Sequence, residues 1–321
     1  MSKAKSAAAL KRVIWSVNPF EEKNEMRHQV VSALKYIGHR VPSVKIEPTY
    51  VLSPAELEVA MEFSQPWIKQ YKPSAEKAME HLSGQYGISQ LKEPQVLIQR
   101  SPSLSSSVNA LARHAKDTRA DLIVTGTHAR EGLSRLMLGS YTETLLLHSK
   151  TPLLVVGPHA EVLHRDHILF ATDLSAHSIL AFKRILSLAR DLRARLTILH
   201  IVPHPVEPVI QSGIYLMGGG WVPVAEFMSQ DESKKRRHGD KWIAEAKKIG
   251  VQAEFVIERG MPGKGGSIVQ GILSAAQSRH AGMIALAAHS GVFAASLLGS
   301  IARQVIRHAP CPVWTWKSVG K

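Results

Sequence analysis

Short runs of consecutive apolar residues alternate along the chain with longer stretches in which apolar positions recur every three or four residues. The first pattern reads as a strand buried on both faces of a sheet, the second as an amphipathic helix packed on it. In the second half, His167–Thr172 and Leu196–Val202 are such strands. Between them Ser175 is placed to cap a helix in which Ile179, Phe182, Ile185, Leu186, Ala189 and Leu192 keep helical spacing. A charged helix over 231–249, a strand over 253–258, a helix after Pro262, a strand over 283–287, a helix opening at Ser300 and a strand over 313–316 follow. The first half alternates in the same way, with strands predicted at 13–17, 45–52, 95–99, 121–125 and 152–156, and one or two helices within 48–86. Strands alternating with helices form a parallel sheet covered on both faces. The predicted fold class is α/β: two doubly wound domains, each a five-stranded parallel sheet with helices on both faces. A ligand would then sit beyond the carboxyl ends of the strands.

Separate landmarks recur at a nearly constant offset. Leu138-Gly139-Ser140 returns as Leu298-Gly299-Ser300, and Pro102 returns as Pro262, each 160 positions later. His148-Ser149-Lys150-Thr151-Pro152 returns as His308-Ala309-Pro310-Cys311-Pro312 at the same offset. Ser16-Val17-Asn18 and Ala171-Thr172-Asp173 close matching apolar runs, 155 positions apart. The chain of 321 residues therefore reads as two copies of one unit, residues 1–158 and 165–321.

Composition narrows the class further. The hydrophobic fraction of 45% suits two buried cores, and no apolar run approaches the ~20 residues of a membrane span. The apolar stretch at 7–10 is too short for a signal-peptide core. The single cysteine, Cys311, excludes an intramolecular disulfide and a cysteine-only zinc cluster. The expectation is a cytoplasmic protein without membrane insertion. A net charge of +14 invites a polyanion, yet it divides into +6 for residues 1–160 and +8 for 161–321, with no charged tail. The densest cluster, Lys234–His238, reads as the solvated start of a helix. Aromatics make up only 6% and no nucleic-acid module is recognisable, so nucleic acid is the weakest partner class.

The best candidate for chemistry is the loop after the fourth strand of the first half. Gly126 lets the backbone turn sharply off the strand, and Gly139-Ser140 opens a helix whose free amides and dipole suit phosphate. Ser140 and Glu143 also have capping-box spacing, and Arg130 on the loop can complement phosphate charge. This loop resembles the nucleotide motif of the universal stress protein family, G-x-x-G, nine residues, then G-[ST]. Gly126, Gly139 and Ser140 match it, with His128 between the first two family positions and Ala129 where the second glycine belongs. The segments from Thr151-Pro152 and Cys311-Pro312 resemble the family's closing strand, and Ala171–Ser175 its first-strand signature. The resemblance covers nearly the whole chain twice.

What the resemblance implies is a tandem universal stress protein of two Rossmann-like, adenine nucleotide alpha hydrolase-like domains. Its role would be stress resistance in a bacterium or archaeon. It implies ATP or another adenine nucleotide as ligand, with at most weak hydrolysis, and intramolecular pairing of the two domains through their last strands. A homodimer and a protein partner stay open. In ATP-binding relatives the Asp ending the first strand helps hold the nucleoside. Asp173 keeps it in the second half, whereas the first half has Asn18. The second half reads Ala287-Ala288-His289-Ser290 where the glycines belong, with a loop one residue shorter before Gly299-Ser300. The first half is therefore the better-preserved site.

Other features carry less. Gly260–Ser267 lacks phosphate-loop spacing and reads as a strand-to-helix turn. His200 and His204 run from a strand into a proline loop, a poor zinc arrangement, and nothing names a catalytic nucleophile. The apolar, glycine-rich stretch 214–228 suits packing, a partner surface or cover for a site. It is the basis of a rival reading in which the chain is an interaction scaffold or binds an apolar ligand. A basic nucleic-acid-associated protein is the third reading.

Overall fold

The structure, a computed structural model, describes residues 10–21, 24–57, 61–127, 140–157, 159–161, 165–202, 214–216, 220–222, 224–260, 267–287 and 300–317. In the first half, β1 (Arg12–Ser16), β2 (Lys45–Leu52), β3 (Gln95–Ile98), β4 (Leu122–Gly126) and β5 (Leu153–Val156) run parallel in the spatial order β3-β2-β1-β4-β5. In the second half β6 (His167–Ala171) and β7 (Arg195–Val202) are followed by a separate antiparallel ribbon, β8 (Ile214–Leu216) with β9 (Gly220–Val222). Then come β10 (Ala253–Arg259), β11 (Met283–Ala287) and β12 (Val313–Trp316), and the second-half order is β10-β7-β6-β11-β12. The two orders are the same order, and the ten strands depart from the predicted bounds by no more than a residue at either end.

The two five-stranded sheets are halves of one ten-stranded sheet, because β5 and β12 pair antiparallel. Trp314 lies opposite Leu154 in that pairing, and these are equivalent positions of the repeat. A local two-fold axis therefore passes through this residue pair. Each strand is apolar and almost wholly buried, so each would be an adhesive edge if left unpaired; the repeat covers one edge with the other. Beside the axis, Glu143 accepts from Arg303 Nη2 at 2.5 Å, again a pair of equivalent positions.

Helices cover both faces: α1 (Asn24–Arg40), α2 (Gln65–Gly84), α3 (Leu104–Asp117), α4 (Ser140–His148), α5 (Ala176–Leu192), α6 (Val224–Lys248), α7 (Ser267–Ser278) and α8 (Ser300–His308). Strand residues alternate between two cores, as the two-residue period of a strand requires. Trp15, Leu34, Phe170, Phe182 and Trp242 share the core under α1, α5 and α6. Ile14, Leu111, Leu145, Leu169, Ile272 and Val305 share the core under α3, α4, α7 and α8. Ser175 caps α5 as predicted, its Oγ accepting from the Ser178 amide at 3.3 Å.

One expectation needs correction. The helix predicted from Asp231 begins at Val224, so residues 224–228 belong to its first turns and not to a loop. Lys234–His238 accordingly lie in mid-helix. Lys235 and Arg236 bond to Asp231 (2.6 Å) and Glu232 (2.7 Å) one turn earlier, spacing that supports a charged helix from within. The remainder of the 214–228 stretch contributes β8 and β9, and its side chains lie outside the described residues.

Candidate functional site

The carboxyl ends of the strands form corresponding sites in the two halves, and strand register makes them comparable residue by residue. In the first half Ser16 ends β1, opposite Thr49 of β2 and Thr125 of β4. In the second half Ala171 ends β6, opposite Leu199 of β7 and Leu286 of β11. The helices that follow open with Ser140-Tyr141-Thr142 and with Ser300-Ile301-Ala302. Five hydroxyl-bearing positions of the first half are thus aliphatic in the second: Ser16, Thr49, Thr125, Tyr141 and Thr142 become Ala171, Leu199, Leu286, Ile301 and Ala302. Except for Ser140, none of these residues was singled out in the first-half loop motif. The signal that finds the strand positions is register, while the repeat offset of 160 places Tyr141 and Thr142.

In the first half the loop between β4 and α4 is closed at its base. Thr142 Oγ1 donates to the Gly126 carbonyl at 3.1 Å, tying the first turn of α4 to the end of the strand. That carbonyl also accepts from Thr125 Oγ1 at 3.3 Å. Ser140 is exposed at the helix start, where the first amides of α4 have no intrahelical partner. The Tyr141 hydroxyl is hydrogen-bonded to Ser16, and burial, with a smaller contribution from Glu56, pushes its pKa up. Two hydroxyls nearby, Tyr50 and Thr127, are buried without a hydrogen-bond partner among the described residues. A buried polar atom left unpaired costs about 1–3 kcal/mol.

Several sequence expectations are placed by this geometry. A Cβ on Gly126 would lie 2.9 Å from Met26 Cγ, so the glycine is also what lets α1 approach the strand end. Asn18 follows β1, with its Oδ1 accepting from the Phe20 amide at 3.0 Å and its carbonyl from Arg27 Nη2 at 3.1 Å. Glu143 reaches across to Arg303. His128, Ala129, Arg130 and Gly139 lie outside the described residues, as does Gly299.

The second-half site is an open cavity of about 450 Å³. Asp173, Ser178 and Ser300 are among its polar lining residues, and Leu199, Ile201, Ile272, Leu286 and Ile301 give it aliphatic walls. Asp173 is exposed and organises the turn into α5: its Oδ1 accepts from the Ser175 amide (3.0 Å) and from Ser178 Oγ (2.5 Å). His200 also lines the cavity. Its Nδ1 donates to the Thr172 carbonyl at 2.8 Å, and burial lowers its pKa, so the ring is neutral at pH 7. Among the described residues no lysine or arginine lines this cavity. Nor do three His, Cys, Asp or Glu side chains converge as a metal site among the described residues. No described helix is long and apolar enough to cross a membrane.

The model of the Universal stress protein family matches the chain twice, over residues 23–157 and 164–317. Among solved structures, a universal stress protein from Archaeoglobus fulgidus DSM 4304 superposes with a TM-score of 0.64 at 19% identity, covering 95% of this chain and 98% of that one. A functionally unknown protein from Pseudomonas aeruginosa PAO1 gives 0.58 at 15% identity, covering 96% and 93%. At these identities the likeness shows the fold. No curated protein sequence matches.

Proposed function

The chain belongs to the universal stress protein family, with two repeats of its domain, and from that premise we propose that it is a nucleotide-responsive stress-response protein whose first half binds an adenine nucleotide such as ATP. The observation that carries this reading is the bond from Thr142 to the Gly126 carbonyl. It brings the strand end and the free amides of α4 to one point, at a helix terminus suited to an anion. The hydroxyls of Tyr50 and Thr127, unpaired among the described residues, fit a polar ligand. The Ser140 hydroxyl and the first α4 amides would hold phosphate, helped by Arg130 from the loop. Asn18 would face the nucleoside with its amide. When bound, the nucleotide supplies charge and bulk. Nucleotide there would order the 126–140 loop and alter the surface offered to a partner. The domains are taken as residues 1–158 and 165–321.

Calorimetry of the full chain with ATP tests this. Saturable binding that Ser140→Pro weakens supports it, and no heat at millimolar ATP overturns it. A cytoplasmic location belongs to the same proposal.

A further inference from the structure

The second half has kept the place of that site and changed its chemistry. All five hydroxyl positions are aliphatic, and the result is an open cavity, not a collapsed one. An open cavity of about 450 Å³ walled by Leu199, Leu286 and Ile301 is within the size range of small-molecule sites. The means of holding an anion are reduced at the same time. Ala287 and Ser290 stand where the glycines of the phosphate loop belong, and Ala302 has no hydroxyl with which to tie α8 to the strand. No cationic side chain lines the cavity among the described residues, and His200 is neutral with its Nδ1 committed to Thr172. The Asp173 carboxylate lines the same cavity and disfavours a second negative charge there.

We propose that this cavity binds a small, uncharged, largely apolar molecule with one hydroxyl or amine end, seated with its apolar body between Leu199, Leu286 and Ile301 and its polar end toward Asp173 and Ser300. The two halves then take ligands of different class on one fold. The first reads a polar anion and the second a neutral amphiphile. The inference stands on the second-half lining and does not depend on nucleotide binding by the first.

The test is a fluorescence titration of the full chain with N-phenyl-1-naphthylamine, an uncharged aromatic amine that brightens in apolar surroundings. The expected result is saturable binding of one probe per chain, displaced by 1-decanol. Decanoate should displace it at least about tenfold more weakly, because its charge meets Asp173. Millimolar ATP should leave it in place. The double variant Leu286→Thr with Ala302→Thr restores first-half residues at equivalent positions and should weaken the probe about tenfold. Its thermal unfolding, followed by circular dichroism, verifies that it is folded. If it does not fold, Ile272→Ala replaces it and should likewise alter probe affinity. The proposal is overturned if no probe binds, if binding is the same in the folded variants, or if decanoate matches decanol. Competitive displacement by ATP also overturns it while leaving a nucleotide reading alive in the second half. Probe binding without any ATP binding would do the reverse.

Discussion

Thr142→Val is the substitution that bears most directly on how the first site is built. It keeps the branched shape of the side chain and removes one hydroxyl. Thr142 is fully buried, so water cannot take the place of the lost donor. A neutral hydrogen bond contributes about 0.5–1.5 kcal/mol net, and stranding a buried acceptor costs up to about 3. The Gly126 carbonyl is not fully stranded, since Thr125 Oγ1 still donates to it at 3.3 Å. The expected cost is therefore about 1 kcal/mol, roughly fivefold in the ratio of folded to unfolded chain. Urea unfolding should show a lower midpoint with an unchanged slope, because the surface exposed on unfolding is the same. ATP affinity should fall by about the same factor, because the ligand must then close a loop that the native bond had already closed. An unchanged midpoint would mean that the bond contributes nothing. A lowered midpoint with unchanged ATP affinity would mean that loop closure and nucleotide binding are separate, and the reading of the first half would lose its support.

Two further outcomes concern the buried histidines and the seam. His167 and His200 are buried in the second half, and burial lowers the pKa of both. Protonation then favours the unfolded chain. The stabilisation from their neutral rings is complete above the ordinary imidazole pKa and is lost as pH falls from there through the folded-state values. His167→Gln should flatten the slope of melting temperature against pH in that window, and an unchanged slope would refute the assignment. At the seam, Arg303→Glu sets a second carboxylate against Glu143, which is a quarter exposed. The pair itself contributes no more than about 1 kcal/mol, so reversal should cost about 1–2 kcal/mol, be relieved by added salt, and be rescued by Glu143→Arg. Failure of that rescue would show that the two charges do not meet.

The fold was legible because its strands are buried on both faces and so stand out as short, unbroken apolar runs. Leu153–Val156 and Val313–Trp316 needed nothing else to be found. What such a run cannot carry is its partner. Nothing in the apolar pattern of either segment says that the two pair antiparallel and weld two sheets into one; the expected pairing through last strands rests on the family resemblance alone. The start of α6 was missed for a related reason. Val224–Met228 is apolar and follows a glycine-rich stretch, so it resembles loop cover until the ribbon β8–β9 is seen to end before it. At the site, Gly126 and Ser140 were visible as spacing. Thr49, Thr125 and Thr142 were not, because a threonine in a strand or a first helical turn carries no signal by itself. Its meaning comes from the register that puts it beside Ser16 or under Gly126.

The seam explains why the two halves were free to diverge in this way. A two-fold contact between identical units sets each axial residue against its own copy. Two copies of the first half would set Glu143 against Glu143, and two copies of the second would set Arg303 against Arg303. Either arrangement puts like charges together next to a pairing edge that is otherwise apolar. Joined in one chain, the same positions meet as carboxylate and guanidinium, and Trp314 meets the smaller Leu154 where two tryptophans would crowd. The complementary seam therefore favours pairing a first half with a second half over pairing like with like. Once each half is assured of an unlike partner, symmetry no longer requires their sites to match. One can keep its hydroxyls around an anion-binding terminus while the other exchanges them for leucine, isoleucine and alanine around a cavity.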